Sequence, residues 1–291
     1  MKRKPSERVA GIVLTVVMVF LAIITVYPFW HVVMYSISDP QRAAGGGLFF
    51  WPRGFSLIGF ESLFKTKQIF TAYRNSLFVL VVGTSVNVVF TMLLAYPLSV
   101  QRFKGRNGIT MFVFFTMLFS GGMIPSYLLV DSLGLLDSLW SLILPGTISA
   151  WNMIVMKNYF QSISPSLEES ASLDGATPLT TLIRIIVPVS LPVIATVALF
   201  YGVAHWNSYF NAVLYISSQS KQILPIYLRS MLASTAMDQA TSAGITLDTA
   251  ALTPETMKMA TIVASVLPML ILYPFIQKYY VKGIMVGSIK G

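Results

Sequence analysis

Few side chains in this sequence can do acid–base or metal chemistry. Cysteine is absent, histidine occurs only at His31 and His205, and 11 residues are Asp or Glu. Disulfides and thiolate chemistry are therefore excluded. The two histidines fall in different apolar stretches and read as hydrogen-bonded packing groups. The acidic residues placed for chemistry at an outer membrane face, Asp39, Glu61, Asp131 and Asp137, form no obvious pair. The telling polar segment is Glu169-Ser170-Ala171-Ser172-Leu173-Asp174-Gly175-Ala176, set between two long apolar runs. Its residue types suit a capped helix and a tight turn, a shape that something soluble can grip.

The elements around it are apolar. Of the 291 residues 55% are hydrophobic and 11% charged. Soluble domains carry about 25% charged residues, so the chain is read as an integral membrane protein. A helical crossing needs roughly 20 mostly apolar residues. Charge-free stretches predict six spans, at about 9–38, 75–101, 107–130, 138–156, 185–217 and 259–277. The fold expected is all-α, a polytopic membrane protein in a single domain. The first stretch follows Lys2, Arg3, Lys4 and Arg8 as a signal peptide would, but it is too long for an h-region and reads as an anchor. No Asp, Glu, Lys or Arg falls within the six stretches. Ion-coupled carriers keep ionisable groups at membrane depth, so proton-driven transport and intramembrane hydrolysis are both disfavoured.

Orientation follows from the basic residues. With the N-terminus inside, the inner segments hold Lys2, Arg3, Lys4, Arg8, Arg102, Lys104, Arg106, Lys157, Arg184, Lys278, Lys282 and Lys290, packed into short loops. The outer segments hold Arg42, Arg53, Lys65, Lys67, Arg74, Lys221, Arg229 and Lys258. The excess places both termini in the cytoplasm. It also accounts for the formal charge of +9 without nucleic acid. Two long outer connections result, 39–74 and 218–258, the first with turn chemistry at Gly45-Gly46-Gly47 and Trp51-Pro52.

The longest inner segment, 162–184, contains the helix and turn. Ser164-Pro165 offers an N-cap with proline at the first helical position, while Ser166 with Glu169 offers a capping box. Glu168 and Glu169 suit a helix start. Gly175 suits the left-handed residue after a helix end. Thr177-Pro178 opens a second helix expected to run through Pro188 and Pro192 into the fifth span.

The spacing Glu169-Ser170-Ala171, Gly175, Ile185, Val187-Pro188 resembles the signature of the inner-membrane permease subunits of ATP-binding-cassette importers. Ser170 and Val187 depart from its usual Ala and Leu, keeping a small and an apolar residue. Leu173-Asp174-Gly175-Ala176-Thr177-Pro178, Trp206-Asn207 and the C-terminal Gln277 to Gly283 and Gly287 to Gly291 are similar to carbohydrate importers of the maltose-permease type. Tyr27-Pro28-Phe29, Ser36-Ile37-Ser38-Asp39-Pro40 and Trp51-Pro52 resemble the branch for oligosaccharides and polysaccharide fragments.

The resemblance implies the type I importer permease fold in a bacterial cytoplasmic membrane. It implies four kinds of partner: a second homologous permease, an ATPase dimer, an extracytoplasmic solute-binding protein and an oligosaccharide. ATP and Mg²⁺ would be held by the ATPases, and the sequence has no Gly-x-x-x-x-Gly-Lys-Ser/Thr segment of its own. Glu169, Ser170, Ala171, Asp174, Gly175 and Ala176 would couple this chain to an ATPase cleft, with Ser288 and Lys290 of the tail reaching the same partner. The outer loop near 236–247 would meet the binding protein.

Trp151-Asn152, Trp206-Asn207, Tyr209 and Asn211 could line a sugar path, rings stacking on sugar faces and amides meeting hydroxyls. Helix packing with Asn bonds across the bundle explains the same residues. Trp30, Trp51 and Trp140 read as interfacial anchors. Two other readings stand: a permease of the same type for a non-sugar solute, and a membrane-embedded glycan enzyme.

Overall fold

The computed structural model describes residues 5–241 and 253–288, and side chains for 11–231, 233 and 253–271. In chain order the main helices are α1 (Pro5–Ser36), α2 (Lys67–Ser99), α3 (Arg106–Leu118), α4 (Met123–Ser132), α5 (Ala150–Ser162), α6 (Pro165–Leu173), α7 (Pro178–Val189), α8 (Leu191–Trp206), α9 (Tyr209–Tyr215), α10 (Leu224–Thr241) and α11 (Pro254–Ser288). Among the described residues, extended pairing is limited to a bridge between Ser38 and Phe55. The all-α expectation holds.

The apolar stretches are less straight than composition suggests. Gly11–Ser36 and α2 are each long and apolar enough to cross a bilayer. The stretches at 107–130, 138–156 and 185–217 each contain a sharp break between two helices. The helices α3 and α4 meet at 115°, Leu139–Gly146 meets α5 at 51°, and α7 meets α8 at 88°. Each break has a local cause. Gly121 and Gly122 separate α3 from α4, and Gly122 takes φ +90, open to glycine and strained for other residues. Pro145 lies in the turn before α5. Pro188 and Pro192 flank Ser190, so two N–H donors are missing around the third break. The second helix thus does not run on into the fifth span. The latter is α8, which ends at Trp206 and is followed by the separate α9. The sixth stretch lies on α11.

The chain divides into two compact units, Met1–Ile69 with Leu228–Pro268, and Phe70–Tyr227 with Met269–Gly291. In the second, α2, α5 and α8 pack on one another around Tyr96, Leu98, Met153, Met156, Ile186 and Val197. In a bilayer the surroundings are as apolar as these side chains, so close packing and interhelical hydrogen bonds hold helices together. Asn75 Nδ2 donates to the carbonyls of Ser220 and Gln222 at 3.0 and 2.9 Å. Ser149 N–H donates to the Tyr201 hydroxyl at 2.8 Å, which meets Thr91 Oγ1 at 2.7 Å. A single π-type turn, Val79–Gly83, interrupts α2 and brings the Gly83 backbone against the His205 ring.

In the first unit Met34, Tyr35, Ala43 and Phe49 form a small core. Asp39 Oδ1 accepts from Gln41 and Arg42 N–H, each at 3.1 Å, capping the short helix Pro40–Ala43. Gly46 and Gly47 take positive φ, as the glycine triplet suggests. Arg53 donates to the Gly46 carbonyl at 2.7 Å and lies 4.4 Å from the Phe49 ring centre.

Candidate functional site

The polar inner segment is a nine-residue helix with both ends defined. Pro165 occupies the first position of α6 and Ser164 the cap, so the Ser164-Pro165 start is the one adopted. The Ser164 hydroxyl meets Ser166 Oγ at 2.8 Å and caps no backbone N–H. Ser166 lies inside the helix, so the alternative box with Glu169 does not form. Glu168 is in the first turn; Glu169 follows it.

At the other end Gly175 N–H donates to the Ser172 carbonyl at 3.1 Å and Ala176 N–H to the Ala171 carbonyl at 2.9 Å. These two bonds make a Schellman closure, and Gly175 adopts φ +77 as that closure requires. Thr177 then accepts from Thr180 N–H at 3.3 Å and starts α7. Helix, left-handed residue and second helix follow within six residues, which fixes the angle of the turn.

Glu169, Ser170, Asp174 and Gly175 are exposed and Ala176 is half-buried, whereas Ala171 is buried against the chain itself. Leu167, one turn before Ala171, is 40% exposed, so the two do not form a shared buried face. Sequence reading missed Leu173, the last helical residue and 89% exposed. Its signal was present: a lone leucine between Ser172 and Asp174, one position before the cap.

Beneath α6 lies a cavity of about 440 Å³ lined by Arg102, Arg106, Gln161, Glu168 and Glu169 among others. The phenol of Tyr96, in the last turn of α2, lies in the field of the Glu168 and Arg102 charges. The start of α6 thus faces the end of α2 across polar and charged groups. Of the tail, Ser288 ends α11, and Lys290 lies outside the described residues, as do 242–247 of the outer loop.

A second cavity, of about 510 Å³, opens between α2, α5, α8 and α9. Of the sugar-path candidates it brings together Trp151, Asn152 and Asn211. Trp206 is buried elsewhere, Asn207 donates to its own helix at the Val203 carbonyl at 2.9 Å, and Tyr209 is half-buried; none of the three lines this cavity. The expectation that Trp206, Asn207, Tyr209 and Asn211 share one span fails because α8 stops at Trp206. The lining adds Asn87, Ser149, Tyr201, His205 and Ser208. No spacing rule could have joined Asn87 to His205, which are 118 residues apart and meet at 3.2 Å.

Asp137 and Asp39 have structural roles. Asp137, at φ +52, accepts from the Ser218 hydroxyl and from Ser217 and Ser218 N–H, and pairs with Lys221 Nζ at 3.0 Å. The Ser218 hydroxyl, with the Ser218 amide and Lys221, holds this carboxyl well below the usual carboxylate range. Asp39 is spent on a cap. Among the described residues no three His, Cys, Asp or Glu side chains cluster as metal ligands do.

Comparison with known proteins settles the family. The family described as "Binding-protein-dependent transport system inner membrane component" matches residues 69–286. This chain belongs to it. Its members are transporter permease subunits of the inner membrane, not catalysts in themselves. Two proteins of Bacillus subtilis strain 168 are each 43% identical: Protein LplC, over 92% of this chain and 90% of its own length, and the polygalacturonan/rhamnogalacturonan transport system permease protein YtcP, over 94% and 96%. A crystal structure of a bacterial ABC transporter that imports the acidic polysaccharide alginate superposes at TM-score 0.88 with 32% identity, covering 96% of this chain and 99% of that one.

Proposed function

We propose that the chain is the transmembrane subunit of an ATP-driven oligosaccharide importer, and that α6 is the part an ATPase grips. The observation that carries this is a capped, exposed helix ending on a bare leucine, in a chain of the binding-protein-dependent family. Soluble contact makes sense of Leu173, because large exposed apolar groups mark interaction surfaces and bury well in a partner's cleft. Glu169, Asp174 and the exposed rim would meet polar groups around that cleft, and Ala176 would help hold the turn. Ser288 and Lys290 of the tail would reach the same partner.

In this reading a second homologous permease completes the path, two ATPase subunits hold ATP and Mg²⁺, and an extracytoplasmic binding protein delivers the sugar near 236–247. The membrane is the bacterial cytoplasmic one, with both termini inside. The relatives support a sugar: besides YtcP, the arabinooligosaccharides transport system permease AraQ of Bacillus subtilis is 27% identical over the whole chain. Closure of the ATPases would draw the coupling helices together. Because the turn at Gly175 is rigid, that motion passes to α7 and to the break at Ser190.

The test is ATP hydrolysis by the co-purified complex with and without sugar-loaded binding protein. Leu173→Asp, and Glu169→Ala with Gly175→Asp, should abolish stimulation while the permease pair still assembles. Stimulation that survives all three changes refutes the lever. Stimulation by a binding protein that carries something other than sugar leaves the lever and replaces the cargo.

A further inference from the structure

The polar lining of the 510 Å³ cavity is incompletely used. Asn152 is 5% exposed and lines this cavity. Asn87 is 1% exposed; its Nδ2 meets His205 Nε2 at 3.2 Å and the Gly146 carbonyl at 3.3 Å, while its Oδ1 is bonded to nothing described. A buried amide oxygen without a partner is destabilising, and Asn87 Oδ1 calls for an explanation. Trp151 belongs to the same lining and is 56% exposed, so a flat apolar face stands beside the amides. No Asp, Glu, Lys or Arg is among the lining residues.

We propose that this cavity binds one uncharged sugar unit, its ring face on Trp151 and its hydroxyls on Asn152, Asn87 and Asn211; the proposal rests on the importer reading above. The chemistry selects the ligand. The unpaired Asn87 Oδ1 needs a donor, and the Asn152 and Asn211 amides can each take a donor and an acceptor. A sugar hydroxyl supplies both. A carboxylate supplies only acceptors and leaves Asn87 Oδ1 unpaired. It would also lose water without a cation to meet it, a cost of several kcal/mol. Acidic groups on a substrate are therefore left to other parts of the assembly. The volume lies within the range of small-ligand sites.

The experiment uses the full complex in lipid nanodiscs without nucleotide, titrated with galactotriose and with trigalacturonate. Galactotriose should bind the wild type more tightly than trigalacturonate. Asn152→Ala and Trp151→Ala should each weaken it about tenfold, the size of one lost hydrogen bond or stacking contact. Trp151→Phe should retain most of the affinity, and trigalacturonate should respond little to Asn152→Ala. Equal galactotriose affinity in wild type and both alanine variants overturns the proposal, leaving the residues as contacts to the partner permease. A preference for trigalacturonate that depends on Asn152 overturns the uncharged assignment. Stimulated ATP hydrolysis is measured in the same preparations: its presence without sugar binding sinks only this subsite, and its absence with every binding protein sinks the importer reading and the subsite with it.

Discussion

The backbone N–H of Ala176 reaches over Gly175 to the carbonyl of Ala171, 2.9 Å away. This one bond joins the end of α6 to the start of the next helix and turns a flexible loop into a lever. It holds only if the intervening residue is left-handed, and Gly175 is, at φ +77.

Gly175→Ala therefore tests the turn without changing its packing, since a methyl placed there meets nothing within 4 Å. The backbone penalty is about 1–2 kcal/mol. Amide exchange of Ser170 to Ala176 in the assembled transporter should speed up correspondingly, and stimulated ATP hydrolysis should fall. Gly175→Asn, which tolerates this conformation better, should be milder. Equal exchange in wild type and both variants would show that the closure does not hold the helix end.

The Asp137 clamp predicts a pH dependence. Its carboxyl titrates below the ordinary value because Ser218 and Lys221 favour the charged form. A carboxyl depressed on folding stabilises the fold above its unfolded value of about 3.9 and loses that contribution as pH falls through the folded value. The unfolding temperature of the detergent-purified protein should thus start to drop below about pH 5 and keep dropping past about pH 3, and Asp137→Asn should flatten part of that drop while lowering stability at pH 7. Asparagine suits the left-handed backbone at this position, so the change isolates the charge. An unchanged acid limb in the variant would rule the clamp out.

What the sequence reveals and hides here follows from how local each feature is. Pro165, Gly175 and Thr177-Pro178 act on their own backbone, so the coupling helix and its ends are legible residue by residue. The breaks at Gly122 and Ser190 were equally local, but hydropathy ran smoothly across them and masked the glycines and prolines that bend the chain. The cavity was legible only in part. Trp151 and Asn152 are adjacent and announce themselves, whereas Asn87 and His205 come together only because α2 packs on α8. Leu173 was overlooked although it stands alone between Ser172 and Asp174, because a leucine in a helix is read first as a packing residue.

The close approach of Gly83 to His205 gives a second stability test. A Cβ at Gly83 would lie 2.6 Å from His205 Nε2 and 2.9 Å from Cε1. Gly83→Ala should cost about 1–3 kcal/mol through overpacking, read as a lower unfolding temperature in detergent. In a His205→Ala background the same change should be neutral or stabilising, because the ring is gone and alanine is the better helix former. Additive losses in the double variant would mean that the glycine is required for the π-type turn itself and not for the contact.

The interaction of Tyr96 with Glu168 predicts how the lever is anchored. Tyr96 lies in the last turns of α2 and Glu168 in the first turn of α6, with the Arg102 charge close by. If this interaction sets the angle of α6, Tyr96→Phe and Glu168→Ala should each reduce binding-protein-stimulated ATP hydrolysis several-fold, the effect of about 1 kcal/mol lost from one polar interaction. Assembly with the ATPases should persist, because the exposed rim of Glu169, Leu173 and Asp174 is untouched. The double variant should be no worse than the poorer single one, since both remove the same interaction. Losses that add, or a loss of co-purification in either single variant, would place Glu168 in direct contact with the ATPase and leave Tyr96 as packing.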